Sequence, residues 1–365
     1  MRTDRIAHLY ADPGPFASVH VDVSRDSEGG AHQVELYARA VREQLAEQGA
    51  PEDLVQTVAD RINEVPHEPS PLSRVVVATE RGVLLDELVH QRAERPTVTW
   101  DVLPDVTAWI EAQDGTVPFV LALVDHEGGD VATYRSDLAA PDEQVGVGSE
   151  TEHVHKVPGG GWSHLKYQNT SDNVWARNAS AVADEVRRHV SEGFRLVVLA
   201  GDPKSRSQVR EAVEGGPGEV IELPAGGRAE DGGDEALHEA VREVLLEHVV
   251  ARRVETVRTL KDRLGRGDAV ATGLRDVADA FVRGQVDTLL LDAPAAADLQ
   301  LTMSEHPGLS LGGLEPSGRV RGDLALVAAA AATGAEVVVS PGSTLGGSPV
   351  AALLRWDQAA GGSTQ

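Results

Sequence analysis

Residues 194–223 have the sequence FRLVVLAGDPKSRSQVREAVEGGPGEVIEL. The apolar run over residues 194–200 predicts a buried strand, residues 203–213 have helical spacing, and residues 219–223 predict a second strand. A strand, a helix and a strand at this spacing are typical of a parallel sheet. This stretch therefore predicts an α/β fold.

Alternating strand and helix patterns continue on both sides of this stretch. Residues 118–124 and 131–134 predict a β-hairpin, and residues 231–266 predict one long helical stretch whose sequence allows a break. We expect three domains, over residues 1–113, 114–250 and 251–365. The other predicted strands are 17–23, 74–79, 83–89, 286–291, 336–340 and 349–356, and the other predicted helices are 32–48, 51–64, 171–192, 273–283 and 322–333.

The composition excludes several classes of function. The 365 residues contain no cysteine, so disulfides, thiol catalysis, Fe–S clusters and cysteine-based zinc sites are ruled out. A formal net charge of −25 argues against a generic nucleic-acid binder or a binder of anionic membranes. The longest apolar run, residues 324–332, is too short to span a bilayer, and the N-terminal residues lack the order of a signal peptide. We expect a cytoplasmic protein.

Motifs for catalysis and cofactor binding are weak. Residues 308–312 match the nucleophile-elbow pattern, but no histidine follows His306 to serve as the base. No phosphate-binding glycine motif occurs. His153, His155 and His164 cluster in one loop, and the His-x-His pair could place two imidazoles on one metal, but the sequence has no HExxH motif and no obvious third ligand. We therefore expect no metal and no cofactor.

A glycine-rich loop over residues 153–168 is the strongest candidate for a binding site. Its glycines allow close backbone approach, two aromatic side chains offer stacking faces, and two lysines offer phosphate contacts, which is a composition suited to RNA. The alternative is a plain connection whose tryptophan lies in a core. The predicted RNA-binding residues are His155, Lys156, Gly159, Gly160, Gly161, Trp162, Ser163, His164, Lys166 and Tyr167.

The charge around this loop differs from that of the rest of the chain. Residues 153–210 contain nine basic and five acidic residues, a local excess of +4 that leaves −29 elsewhere. Two interpretations stay open. The arginines either decorate the solvent face of a helix or form an anion-binding tip on an acidic protein.

Three motifs resemble the archaeo-eukaryotic release factor and Pelota superfamily, in its bacterial branch. The superfamily's middle domain carries a Gly-Gly-Gln loop followed by Ser-Ala-x-Arg-Phe. In this chain Gly160-Gly161 and Ser163 match that motif, and Lys166 and Tyr167 stand at the positions of its Arg and Phe. Trp162 replaces the glutamine. Two further matches, at residues 273–290 and 347–356, resemble a glycine-started helix with its strand and the final strand of the superfamily's third domain.

The resemblance implies a three-domain, tRNA-shaped molecule. Its N-terminal domain would lie near the decoding centre, its middle domain would have a ribonuclease H-like topology, and its C-terminal domain would be L7Ae-like. The loop of the middle domain would then reach the peptidyl transferase centre.

Departures from the pattern point to a binding function. The glutamine helps to place the hydrolytic water in release factors, whereas the indole of Trp162 has one donor and no acceptor. The stop-codon motifs of the N-terminal domain are also absent. The chain therefore most resembles the Balon-like ribosome hibernation factors of actinobacteria. That resemblance implies occupation of the ribosomal A site during stress, contact with ribosomal RNA and an association with elongation factor Tu.

Two alternatives remain from the sequence. A peptidyl-tRNA hydrolase acting in ribosome rescue could place its water with Ser163 or His164. A stress protein with no ribosome contact is the other alternative. We expect the binding factor, with no catalytic residue.

Overall fold

A computed structural model describes residues 3–68, 70–93, 95–125, 127–135, 141–148, 153–155, 172–224 and 233–356. The chain divides into two compact units. Unit 1 combines residues 1–114 with residues 253–365, and unit 2 comprises residues 115–252.

The first part of unit 1 is an antiparallel sheet with helices. Its elements are β1 (Phe16–Asp22), α1 (Gly30–Glu47), α2 (Glu52–Asn63), β2 (Ser73–Thr79), β3 (Gly82–Val89), β4 (Thr97–Asp101) and α3 (Thr107–Asp114). The strand order is β3-β2-β1-β4. The strands and helices predicted over residues 17–89 are confirmed, whereas β4 and α3 have no predicted counterpart.

Helices α1 and α2 cover one face of this sheet. Val41 and Leu45 of α1 are buried in a core with side chains of α2 and of the sheet. The free edge of β4 is covered by a side chain, since the Gln48 amide donates to the Val98 carbonyl at 3.2 Å and accepts the Trp100 N–H at 2.7 Å. Gln48 thus binds the backbone groups that an added strand would need.

Unit 2 is built around a six-stranded mixed sheet in the order β10-β9-β5-β6-β7-β8. Strands β5, β9 and β10 are parallel, and β5 to β8 are antiparallel. The predicted hairpin and the predicted parallel strand-helix-strand are confirmed. The elements are β5 (Phe119–Asp125), β6 (Gly128–Tyr134), β7 (Glu143–Gly148), β8 (His153–His155), α4 (Asp172–Ser191), β9 (Leu196–Gly201), α5 (Pro203–Val213), β10 (Glu219–Glu222) and α6 (Gly233–Arg266).

Helices cover both faces of this sheet. Val182 and Val186 of α4 are buried with β5 and β9 on one face, and Leu237 and Val241 of α6 are buried on the other. Helix α6 is continuous over residues 233–266 and contributes to both units, so the predicted long helix is confirmed, without the break that the sequence allowed. None of the helices in the described part of the chain has the length and hydropathy that a bilayer crossing requires.

The last part of unit 1 is a second small sheet with its helices. Its strand order is β11-β16-β12-β15, with β12 and β15 parallel, and β13 pairs with β14 separately. The predicted helices and strands of this part are confirmed. The elements are β11 (Val270–Thr272), α7 (Leu274–Val282), β12 (Val286–Leu291), α8 (Ala293–Ala296), β13 (Gln300–Thr302), β14 (Arg319–Arg321), α9 (Gly322–Thr333), β15 (Glu336–Val339) and β16 (Val350–Leu354).

The two parts of unit 1 share one apolar core. Ile6, Leu9 and Tyr10, near the start of the chain, are buried in the same cluster as α9. The Thr3 hydroxyl reaches the carbonyl oxygens of Ala330 at 3.2 Å and Ala335 at 3.0 Å. Residues 3–11 therefore tie the first part of unit 1 to the last.

An ion cluster also joins these two parts. Arg321 Nη2 lies 3.0 Å from Asp105 Oδ2 and 2.6 Å from Asp323 Oδ2. Burial raises the pKa of the Asp323 carboxyl, and Arg321 opposes that rise. The ends of unit 2 lie close to the predicted domain boundaries. The division of the remaining chain into separate N-terminal and C-terminal domains stays a prediction.

Candidate functional site

The predicted RNA-binding loop lies almost entirely outside the described residues. Only the backbone of His155 falls within them, at the end of β8. The RNA-binding role of the whole set therefore stays a prediction. The residues outside the described ranges are Lys156, Gly159, Gly160, Gly161, Trp162, Ser163, His164, Lys166 and Tyr167.

The structure shows the elements at both ends of this loop. Strand β8 is the edge strand of the sheet and pairs with β7, with Gln144 opposite His155 and Gly146 opposite His153. Helix α4 begins at Asp172. Residues 156–171 thus run from the sheet edge to the start of α4, and the geometry of both elements sets where the loop begins and ends.

Two glycines of the unit 2 sheet lie where an added side chain would clash with the backbone of β5. A Cβ at Gly129 would lie 2.7 Å from the Leu123 carbonyl oxygen and 3.3 Å from Val182 Cγ2. Gly201 ends β9 with a φ of +108°, and a Cβ there would lie 2.0 Å from the Val124 carbonyl oxygen. Only glycine fits at either position without displacing backbone atoms.

An ion network holds β7 against the C-terminal half of α4. Arg188 Nη2 lies 2.9 Å from Glu143 Oε1 and 2.6 Å from Glu185 Oε1, and Arg188 Nη1 lies 2.6 Å from Glu192 Oε1. Its hydrogen bond to Glu185 and the surrounding carboxylates raise the pKa of the Arg188 guanidinium. Because Glu143 is the first residue of β7, this network ties the strand pair that feeds the loop to the helix that follows it.

His189 completes this network from the buried side of α4. Its side chain packs edge-on against Phe194, with ring centroids 5.9 Å apart. His189 Nδ1 lies 3.1 Å from Glu192 Oε2, and Nε2 lies 3.1 Å from Arg188 Nη2. Since the guanidinium can only donate, Nε2 is the acceptor and Nδ1–H donates to Glu192. This hydrogen bond is the main cause of the lowered pKa of Glu192.

Three of these side chains have the geometry of metal ligands. Ligand atoms of Glu143, Glu185 and His189 lie within 4.8 Å of one another. However, Arg188 Nη2 lies 2.9, 2.6 and 3.1 Å from the three of them. The guanidinium therefore already supplies the positive charge at the centre of the set.

Other arginines of the predicted basic region are also engaged within unit 2. Arg187 pairs with Asp184 and donates to the Ala212 carbonyl at 2.7 Å. Arg206 is buried and donates to the Leu223 carbonyl. Arg210 Nη1 lies 2.9 Å from Glu222 Oε1, again with an internal partner. The exposed Arg187 and Arg210 support the surface-helix interpretation of the local positive charge, whereas the buried Arg206 fits neither interpretation.

One further carboxyl group of unit 2 is perturbed. Asp130 lies on β6, where burial, followed by the charge of Asp125, raises its pKa to about 6. At neutral pH the folded protein therefore holds an ionised carboxylate in an unfavourable environment. The sequence gives no sign of this, because Asp130 follows a polar turn and resembles an ordinary surface acid.

The nucleophile-elbow match at residues 308–312, which the sequence leaves without a base, follows a histidine that has another partner. Ser310 is exposed, and His306 Nδ1 lies 2.7 Å from Asp279 Oδ1. This histidine is buried, and its described partner is a carboxylate on α7. The pair stabilises the packing of α7.

Comparison with known proteins relates unit 2 to a release factor family. Residues 118–266, from β5 to the end of α6, match the model of Bacterial archaeo-eukaryotic release factor family 2. The chain is also 28% identical over 371 residues to "Uncharacterized protein Rv2629" of Mycobacterium tuberculosis H37Rv. That alignment covers 98% of this chain and 97% of the mycobacterial protein.

Solved structures with similarity to the chain include archaeal and yeast proteins. A model of ribosome-bound archaeal Pelota and ABCE1 matches with a TM-score of 0.41 and 16% identity, covering 97% of this chain and 93% of that one. Dom34 of S. cerevisiae, a translation termination-like factor, matches with a TM-score of 0.42 and 11% identity, covering 80% and 82% of the two chains.

Proposed function

We propose that this protein is a ribosome-binding translation factor that occupies the A site and holds the ribosome inactive. The match of residues 118–266 to a release factor family model carries this proposal. Contact with ribosomal RNA through the glycine-rich loop is part of it. We also propose that elongation factor Tu delivers the protein or binds beside it.

The architecture that we propose follows the same family. Unit 2 corresponds to a middle domain of ribonuclease H-like topology, and its mixed sheet with helices on both faces is compatible with that assignment. The last part of unit 1 corresponds to an L7Ae-like domain, and the molecule as a whole to a tRNA mimic. Residues 1–113, 114–250 and 251–365 would be its three domains.

The described part of unit 2 supports a positioning role for its ion network. Arg188 ties the first residue of β7 to α4, so both ends of the loop belong to one packed assembly. A loop with fixed ends loses less conformational entropy when it binds than a loop with free ends. We therefore assign Arg188 as a positioning residue for the loop.

The residues at the loop favour binding over peptide release. Trp162 occupies the position of the glutamine in the Gly-Gly-Gln motif, and its indole offers one donor, no acceptor and a large stacking face. Lys156 and Lys166 supply phosphate contacts nearby. Such a loop can stack on exposed bases, but it cannot accept a hydrogen bond from an attacking water through the indole.

Co-sedimentation with vacant ribosomes tests this function. The wild-type protein should pellet with ribosomes, and Trp162→Ala or deletion of residues 155–167 should weaken binding. Trp356→Ala is the matched control, because Trp356 is 53% exposed, two residues after β16, and lies outside the loop. Failure of the wild-type protein to bind at low and moderate salt, even with elongation factor Tu added, would refute the proposal.

Peptide release separates the binding factor from the hydrolase alternative. Ribosomes loaded with labelled peptidyl-tRNA should keep their peptide when the protein is added in excess. Release that is lost in Ser163→Ala or His164→Ala would instead support a rescue hydrolase.

A further inference from the structure

Helix α6 carries an exposed apolar stripe. Leu246, Val250 and Val254 are 63%, 50% and 60% exposed. They are spaced four residues apart, so they lie on one face over successive turns of the helix. Single exposed apolar residues are common on protein surfaces, but three aligned on one helix face form a continuous patch.

Charged residues extend this face in both directions with opposite signs. Toward the N-terminus the face carries the exposed acids Glu239 and Glu243, and toward the C-terminus it carries the exposed Lys261. Residues 233–249 contain five acids and one arginine, whereas residues 250–266 contain six basic residues and two acids. The helix dipole favours this order of charges, but it does not account for the apolar stripe between them.

The pattern of this face is complementary to itself. When two copies of α6 run antiparallel about Val250, Leu246 of one copy lies opposite Val254 of the other. Glu239 lies eleven residues before Val250 and Lys261 eleven residues after it, so these opposite charges also meet. The face from residue 239 to residue 261 is about 33 Å long.

We propose that α6 forms an antiparallel pair with α6 of a second copy of this chain, with Val250 at the two-fold axis. The second copy is favoured because the same face supplies both the acidic and the basic ends. A partner with one sign of charge would match only half of it. The association is weak and reversible, because its apolar centre contains only three side chains from each copy.

Cysteine cross-linking tests the pairing directly, because the chain contains no cysteine of its own. Under mild oxidation, full-length Val250→Cys should form a disulfide dimer. Leu246→Cys alone should not, but its mixture with Val254→Cys should give the mixed dimer. Arg252→Cys is the matched control, since this exposed position lies about 200° around the helix from Val250.

Sedimentation analysis provides the second readout. The wild-type protein should show a concentration-dependent monomer–dimer equilibrium that weakens with salt, and Val250→Glu should be monomeric with unchanged circular dichroism. Cross-linking of Leu246→Cys to itself would indicate parallel pairing and overturn the proposal. A wild-type protein that stays monomeric at every concentration would also overturn it, and would leave the stripe to a different partner.

Discussion

The pH dependence of stability gives a sharp test of the environment of Asp130. Burial, with the charge of Asp125, raises the pKa of this carboxyl from 3.8 to about 6 in the folded protein. In the unfolded chain the carboxyl returns to its ordinary value. Between these two values the folded protein binds a proton that the unfolded chain has lost, so stability falls as the pH rises through this window and then levels off.

The magnitude follows from the size of the shift. A difference of about two pKa units corresponds to about 3 kcal/mol at 1.36 kcal/mol per unit. Half of this window lies below pH 5, close to the sequence pI of about 4.8, where solubility is lowest. Measurements at pH 5 and pH 8 therefore capture about 1.4 kcal/mol of the total.

The substitution Asp130→Asn tests this account, because it removes the titrating carboxyl group. Relative to wild type, the variant should gain about 1.4 kcal/mol of unfolding free energy on going from pH 5 to pH 8. Urea unfolding followed by hydrogen exchange of peptides from β5 and β6 reports on unit 2 itself. Glu211→Gln, at an exposed position on α5, should show no such gain. An Asp130→Asn variant whose pH dependence matches wild type would refute this account of the site.

Three further outcomes follow from contacts described above. Gly201→Ala should destabilise unit 2 by about 3 kcal/mol or more in urea unfolding. Gly193 has a similar φ of +111° but open space around it, so Gly193→Ala should destabilise unit 2 by only about 1–2 kcal/mol. Equal losses of stability in the two variants would contradict the predicted clash. Arg188→Gln should lower the unfolding free energy of unit 2 by about 1–2 kcal/mol after allowance for solvent screening, and by less at high salt. Thermal unfolding measures this loss, and a loss that does not change with salt would contradict the prediction. Thr3→Val should lower the unfolding free energy of unit 1 by about 1 kcal/mol. An unchanged denaturation midpoint would show that the hydroxyl proton shared between the Ala330 and Ala335 carbonyls contributes nothing.

The sequence predicts those elements whose apolar pattern is strong. The runs at 194–200 and 286–291 are dense in Val and Leu, and both are buried strands in the structure. Strand β7 was not predicted, because Glu143-Gln-Val-Gly-Val-Gly148 contains glycines that break the pattern. Strands β13 and β14 have three residues each, too few to show any period.

Contacts between distant segments left no signal in the sequence. The burial of Ile6 and Leu9 against α9 depends on residues more than three hundred positions apart, and no local spacing indicates it. Part of the Arg188 network could be predicted from the sequence, since Glu185 and Glu192 stand three and four residues from Arg188. The ion pair between Arg188 and Glu143 could not be predicted in this way.

The local charge excess shows why counting charges along the chain has limits. Residues 153–210 have a local net charge of +4, but Arg188 and Arg210 pair with Glu143 and Glu222, which lie outside that range. The sheet brings these acids to the arginines. The anion-binding interpretation now depends on the loop itself, whose residues remain the predicted contact set.

The shared core of unit 1 has a consequence for how the chain is made. During synthesis, residues 3–11 leave the ribosome more than three hundred residues before α9, on which they pack. Unit 2, which is continuous in sequence, can fold while the chain is still growing. The first sheet of unit 1 must wait with an apolar face uncovered. Prematurely terminated chains would therefore expose that face and become substrates for chaperones and proteases.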